Sequence, residues 1–154
     1  MPRIFITRSI PGPGPDLLHE QGYEVDTHEG SEPLPRAELL KRVKGVDAIL
    51  CLLTDTIDDA ALKAAGPSLR VVANYAVGFD NIDLAAAKKL GIPVFNAPFS
   101  NTRSVAELVI GEIISLYRRL HIVNVEMHKG LWSKNAQGCN EIKNKTLGII
   151  GYGN

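Results

Sequence analysis

Short apolar runs alternate with amphipathic segments through residues 1–95. The runs RIFIT (3–7), YEVDT (23–27), DAILCLL (47–53), RVVANY (70–75) and IPVFN (92–96) predict strands. They are short, rich in β-formers and mostly apolar on both faces, as strands of a covered parallel sheet are. Between them, residues 15–21, 35–44, 58–65 and 84–90 have helical spacing, and Gly22, Gly45, Gly66 and Gly91 follow where helix C-caps belong. Strand–helix alternation at this period predicts βαβ units and a doubly wound α/β domain. Five parallel strands in so short a stretch suggest a flavodoxin-like layout, with the strand order left open by the pattern.

The pattern changes at NAPFSNTRS (96–104), a linker around Pro98. Ser104 and Glu107 fit a capping box. The stretch after them, to Gly130, predicts one long helix. Val105, Leu108, Val109, Ile113, Leu116 and Leu120 make one apolar stripe on it. Ala106, Ile110, Ile114 and Tyr117 make a second, so the helix expects contact on more than one side. Residues 130–145 are a polar connection, and TLGIIGYGN (146–154) predicts a buried strand feeding a glycine turn.

Composition narrows the function classes. The chain has 154 residues, enough for one ordinary core or one domain and the beginning of another. Its 17 basic residues balance 17 acidic ones, so no net field draws it to nucleic acid or anionic membrane. No apolar run approaches the ~20 residues needed to span a bilayer. The N-terminus lacks the features of a signal peptide, and Cys51 and Cys139 suggest no disulfide framework. A cytoplasmic protein is the expectation.

Candidate chemistry sits at strand ends. Gly151 and Gly153 match the start of G-x-G-x-x-G, in which the first glycine permits a tight turn and the second lets backbone approach a pyrophosphate. In ANYAVGFDNID (73–83) the N–H groups of Ala76, Val77 and Gly78 suit a small carboxylate. The same residues also suit a plain glycine turn with Asp80 or Asn81 capping the next helix. CLLTDTID (51–58) either lends Leu53 and Thr54 to the same cleft or simply turns the chain. His121 and His128 lie seven apart with no third ligand, so a metal pair is not expected, and Cys51 reads as core.

Taken in order, VANYAVGFDNID (72–83), GIPVFNAPFSNTRSVAELVIGEIISL (91–116) and KTLGIIGYGN (145–154) resemble the N-terminal half of D-isomer-specific 2-hydroxyacid dehydrogenases. The resemblance runs through essentially the whole chain. Residues 1–90 are most similar to glyoxylate/hydroxypyruvate reductases, and residues 92–154 to bacterial D-3-phosphoglycerate dehydrogenases. It implies a flavodoxin-like substrate domain over 1–98 and the start of an inserted NAD-binding domain over 99–154. It also implies dimerisation through the 104–129 helix.

Carried over by resemblance, Ala76, Val77 and Gly78 match the loop whose amides hold the substrate carboxylate, and Leu53 matches a cleft position. Asn101, Thr102 and Val105 to Glu107 match the hinge and helix start beside the nicotinamide of NAD, while Gly151 and Gly153 match the first two fingerprint glycines. The family's catalytic Arg, Glu and His lie beyond the matched motifs. The expectation is therefore an N-terminal portion of an NAD(H)-dependent 2-oxoacid reductase, inactive by itself. The alternative is a non-catalytic module that assembles through the long helix. Residues 52–55 offer no cation for a phosphate, which favours a non-phosphorylated 2-oxo acid.

Overall fold

The computed structural model describes residues 1–153, which divide into two units, the first of residues 1–100 and the second from Asn101 onward. The first unit is a five-stranded parallel sheet: β1 (Arg3–Ile6), β2 (Glu24–Thr27), β3 (Ala48–Cys51), β4 (Val71–Asn74) and β5 (Val94–Phe95). Helices α1 (Gly14–Glu20), α2 (Arg36–Arg42), α3 (Asp59–Ala65) and α4 (Leu84–Lys89) connect consecutive strands. The order left open by the pattern is β2-β1-β3-β4-β5, the flavodoxin-like order. Gly22, Gly45, Gly66 and Gly91 all have positive φ, between 70° and 82°. A left-handed residue ends each helix, and only glycine takes that conformation at no steric cost.

Right-handed crossovers in this order place α1 on one face of the sheet and α2, α3 and α4 on the other. The second face carries the core. Leu39 and Val43, Leu62 and Ala65, and Ala86 and Ala87 pack over Phe5, Ile49, Cys51 and Val72, all buried. The first face is apolar too, as the strand composition predicts, but it is only half covered. Leu50, Val71 and Ala73 line an open groove of about 510 Å³ with Leu18 and Tyr23.

The second unit departs from the sequence expectation at three points. The long helix is two: α5 (Thr102–Tyr117) and α6 (Leu120–His128), separated by Arg119 in the left-handed conformation (φ 53°, ψ 33°). The break is held by the polar connection folding back, with Asn140 N–H donating to Tyr117 O (2.8 Å) and Arg119 Nη1 to Gln137 O (2.6 Å). The first satisfies a carbonyl that the end of α5 leaves open, and the second ties the Arg119 side chain to the connection. Secondly, Ser104 is not the N-cap. The helix begins at Thr102, after Asn101, so Ser104 and Glu107 stand exposed on its first turns. Thirdly, residues 146–150 form no strand, and Leu147, Ile149 and Ile150 are exposed. A strand needs a neighbour for its N–H and C=O groups, and among the described residues of this unit none is a strand. Neither α5 nor α6 buries any residue fully; Ile113 and Tyr117 are half-buried, and the rest of both apolar stripes is exposed.

The α3 N-terminus yields a test. Asp58 accepts from Ala61 N–H (2.9 Å) and pairs with Arg36. Burial alone would raise the Asp58 carboxyl. The Ala61 bond and the Arg36 bond and charge outweigh it and hold the carboxyl below its ordinary value. Asp58→Ala should therefore destabilise the first unit by about 1 kcal/mol in urea denaturation at neutral pH. A depressed folded-state pKa stabilises above the unfolded value, and that contribution is lost as pH falls through the folded one. The gap between wild type and variant should accordingly shrink below roughly pH 4.

Candidate functional site

Three loops meet at the carboxyl ends of the strands, where open α/β sheets bind ligands. Residues 52–55 follow β3, residues 75–81 follow β4 and residues 96–97 follow β5. Asparagine side chains join them. Asn81 Nδ2 donates to Leu52 O and Asp55 O, both at 3.0 Å. Asn74, buried at the end of β4, donates from Nδ2 to Gly78 O (2.8 Å) and Asn81 Oδ1 (3.0 Å). Asn96 Nδ2 donates to Val77 O (2.7 Å), and Ala97 N–H to Ala76 O (2.8 Å). Below them, buried Asp55 accepts from Thr7 Oγ1 (2.5 Å) and Leu52 N–H (2.8 Å).

The carbonyls of Ala76, Val77 and Gly78 are thus all tied down from neighbouring elements. Their N–H groups make no hydrogen bond among the described residues. Fixed, unpaired backbone donors on successive residues are available to an anion. Leu53 is brought to the same place. It is exposed, and its Cδ2 would lie 3.5 Å from a Cβ at Gly78. The cap of α4 is Asp83, which accepts from Ala86 N–H (2.9 Å). Neither Asp80 nor Asn81 caps that helix; Asn81 instead binds the loops together.

Thr54 is also drawn in, and with it a residue that the sequence pattern did not single out. Arg8, just past β1, donates from Nη2 to Thr54 Oγ1 and from Nη1 to Ser31 O (3.2 Å). Residues 52–55 hold no cation of their own, but the fold supplies one from the next strand. An Arg immediately after an apolar strand was the signal available in the sequence.

Cys51 is fully buried, with Sγ 3.4 Å from Asn74 Oδ1. Burial, reinforced by the charge of Asp55, pushes its thiol up to about 12. It is a core residue and no nucleophile. The remaining candidates lie in the second unit. Asn101 precedes α5, with Thr102 opening it and Val105 exposed on its first turn. Gly151 has positive φ (83°), as a tight glycine turn requires, while Gly153 does not. The last residue of that motif, Asn154, lies outside the described residues. No group of His, Cys, Asp and Glu among the described residues could hold a metal, and no described helix is long and apolar enough to cross a membrane.

Residues 4–148 match the family model of the D-isomer specific 2-hydroxyacid dehydrogenase catalytic domain. The chain belongs to this family. It is 43% identical over 150 residues to D-3-phosphoglycerate dehydrogenase 2 of Saccharomyces cerevisiae, a match covering 97% of this chain and 31% of the yeast protein. It is 38% identical over 159 residues to the glyoxylate reductase of Thermococcus litoralis, covering 99% of this chain and 47% of that one. Among solved structures, the TT0316 protein of Thermus thermophilus superimposes with a TM-score of 0.81 at 38% identity, over 86% of this chain and 42% of that one. This dehydrogenase-family chain therefore spans less than half the length of these relatives. The likeness extends across both the reductase and the phosphoglycerate branches, as the sequence motifs imply.

Two outcomes follow from this geometry. Removing the amide of Asn81 strands two carbonyl acceptors, so Asn81→Ala should cost about 2 kcal/mol in urea denaturation. Asn81→Asp should cost more, because it sets a negative charge against those carbonyls. In the native state, a thiol reagent at neutral pH should modify Cys139 and spare Cys51; labelling of Cys51 faster than global unfolding would contradict the burial described.

Proposed function

We propose that the first unit is the carboxylate-holding part of an NAD(H)-dependent D-2-hydroxyacid dehydrogenase, a cytoplasmic enzyme acting on a short 2-oxo or 2-hydroxy acid. One observation carries this reading: the carbonyls of Ala76, Val77 and Gly78 are anchored while their N–H groups stay free at the carboxyl ends of the strands. Several amides on one rigid loop hold a carboxylate without themselves reorganising. Leu53 then offers an apolar wall beside the carbon chain of the acid.

The cofactor reading rests on family membership and on Asn101, Thr102, Val105, Gly151 and Gly153. When bound, NAD(H) supplies the hydride chemistry. As they stand, residues 145–153 do not make a dinucleotide cradle, since the Gly151 turn has no strand leading into it. These 154 residues by themselves therefore hold the acid and do not turn it over. The exposed apolar residues of α5 and α6, among them Leu108, Ile110 and Leu116, pair the chain with a second copy as a homodimer. They also favour a second reading, a non-catalytic module that assembles on a longer relative through those helices.

Glyoxylate titrated into the ¹⁵N-labelled chain should shift the amide resonances of Ala76, Val77 and Gly78 first. If those amides stay unmoved at saturating acid, the carboxylate reading fails. NADH with glyoxylate or hydroxypyruvate should give no turnover; substrate-dependent NADH oxidation would refute the claim of inactivity and leave the carboxylate site standing.

A further inference from the structure

The arginines of the first unit divide sharply by their partners. Arg3 and Arg42 pair with Asp26 (3.9 and 2.5 Å), Arg36 pairs with Asp58, and Arg70 pairs with Asp47 (3.7 Å). Arg8 has no carboxylate partner among the described residues. Its guanidinium rests on two neutral oxygens, Thr54 Oγ1 and Ser31 O, and its Nε–H is buried with no acceptor among the described residues. A buried donor without an acceptor, on a cation without a counterion, is an uncompensated cost.

Its position is that of a ligand-binding group. In the order β2-β1-β3-β4-β5, the chain leaves β1 towards β2 on one side and leaves β3 towards β4 on the other. Connections that diverge in this way open a crevice beyond the ends of β1 and β3. Arg8 follows β1 and Thr54 follows β3, so the unpaired charge spans that crevice. Thr54 and the free amides follow β3 and β4, which are adjacent strands. Leu53 Cδ2 lies 3.5 Å from where a Cβ at Gly78 would sit.

We infer that Arg8, seated on Thr54 at the β1/β3 crevice, is a specificity residue that receives a second anionic group at the far end of the acid. This rests on the reading of Ala76, Val77 and Gly78 as the carboxylate site. Two Nη–H bonds are already spent, and the outer Nη–H groups remain for an incoming oxyanion. The charge missing from residues 52–55 is thus present in space, and the expectation of a non-phosphorylated acid loses its premise.

The test is a matched pair of acids, D-glycerate and D-3-phosphoglycerate, titrated into the labelled chain at low salt. The amides of 76–78 report the carboxylate, and the Nε–H resonance of Arg8 reports the second anion. Wild type should bind the phosphorylated acid about tenfold more tightly. Arg8→Gln should level the two acids. Arg8→Lys, which keeps the charge and loses the fork, should retain part of the gap. Rising salt should erode the preference in wild type, a readout that requires no variant to fold. Equal affinity for both acids in wild type, or an unchanged gap in a folded Arg8→Gln, overturns the inference and leaves the carboxylate site intact. If neither acid moves the amides, the carboxylate reading fails, and inorganic phosphate alone decides Arg8. A saturable shift of its Nε–H then supports the assignment, and none refutes it.

Discussion

The carboxyl edge of this sheet depends on two asparagine side chains. A parallel strand that ends leaves its loop's polar groups to find partners or water. Asn81 and Asn74 meet that demand across loops far apart in sequence: Asn81 fastens residues 52 and 55, and Asn74 fastens residue 78 and Asn81 itself. An amide carries donors and an acceptor in one plane, so a single side chain can serve several carbonyls at once. Because the carbonyls of residues 76, 77 and 78 are taken by Ala97 N–H, Asn96 and Asn74 in turn, the free backbone polarity of these three residues is all donor. Sign selectivity for anions is therefore a consequence of how the loop is tied, before any charged side chain is considered.

Beneath that edge, packing and polarity divide the labour. The α2–α4 face supplies the dry core, from Phe5 and Ile49 to Leu62 and Val72. A rigid core beneath the loops limits how far they can relax when a ligand is absent. The buried Thr7–Asp55–Leu52 arrangement continues that rigidity to the very ends of β1 and β3. Asp55 reaches no cation there. It is satisfied by a hydroxyl and a backbone N–H and forms no ion pair with Arg8 among the described residues.

Much of the first unit was legible because its elements are specified locally. Each helix is closed by a positive-φ glycine, and every strand but β2 is a short, mostly apolar run, so pattern and structure agree to within a residue or two at most boundaries. The second unit was less legible because its elements are not. A stretch such as TLGII becomes a strand only beside another strand, and the two-striped helix breaks at Arg118–Arg119, where the segment 137–140 folds back on it. The site divides along the same line. Leu53 and the glycine loop could be placed from motif and strand end. Arg8 and Asn96 could not, since their roles arise from tertiary bonds to residues 46 and 19 positions away.

The placement of Arg8 bears on how one scaffold serves related acids. The amides at 76–78 can recognise only what every such acid shares, a carboxylate, so discrimination must come from another strand. A cation carried by the β3 loop itself would be tied to the conformation of that loop. Placed after β1 and braced on Thr54 and Ser31, the charge is held by two connections that leave the sheet in different directions. The preference for the far end of the acid is then separable from the grip on its near end. Separation of this kind lets specificity change at one position without loosening the loop that holds the carboxylate.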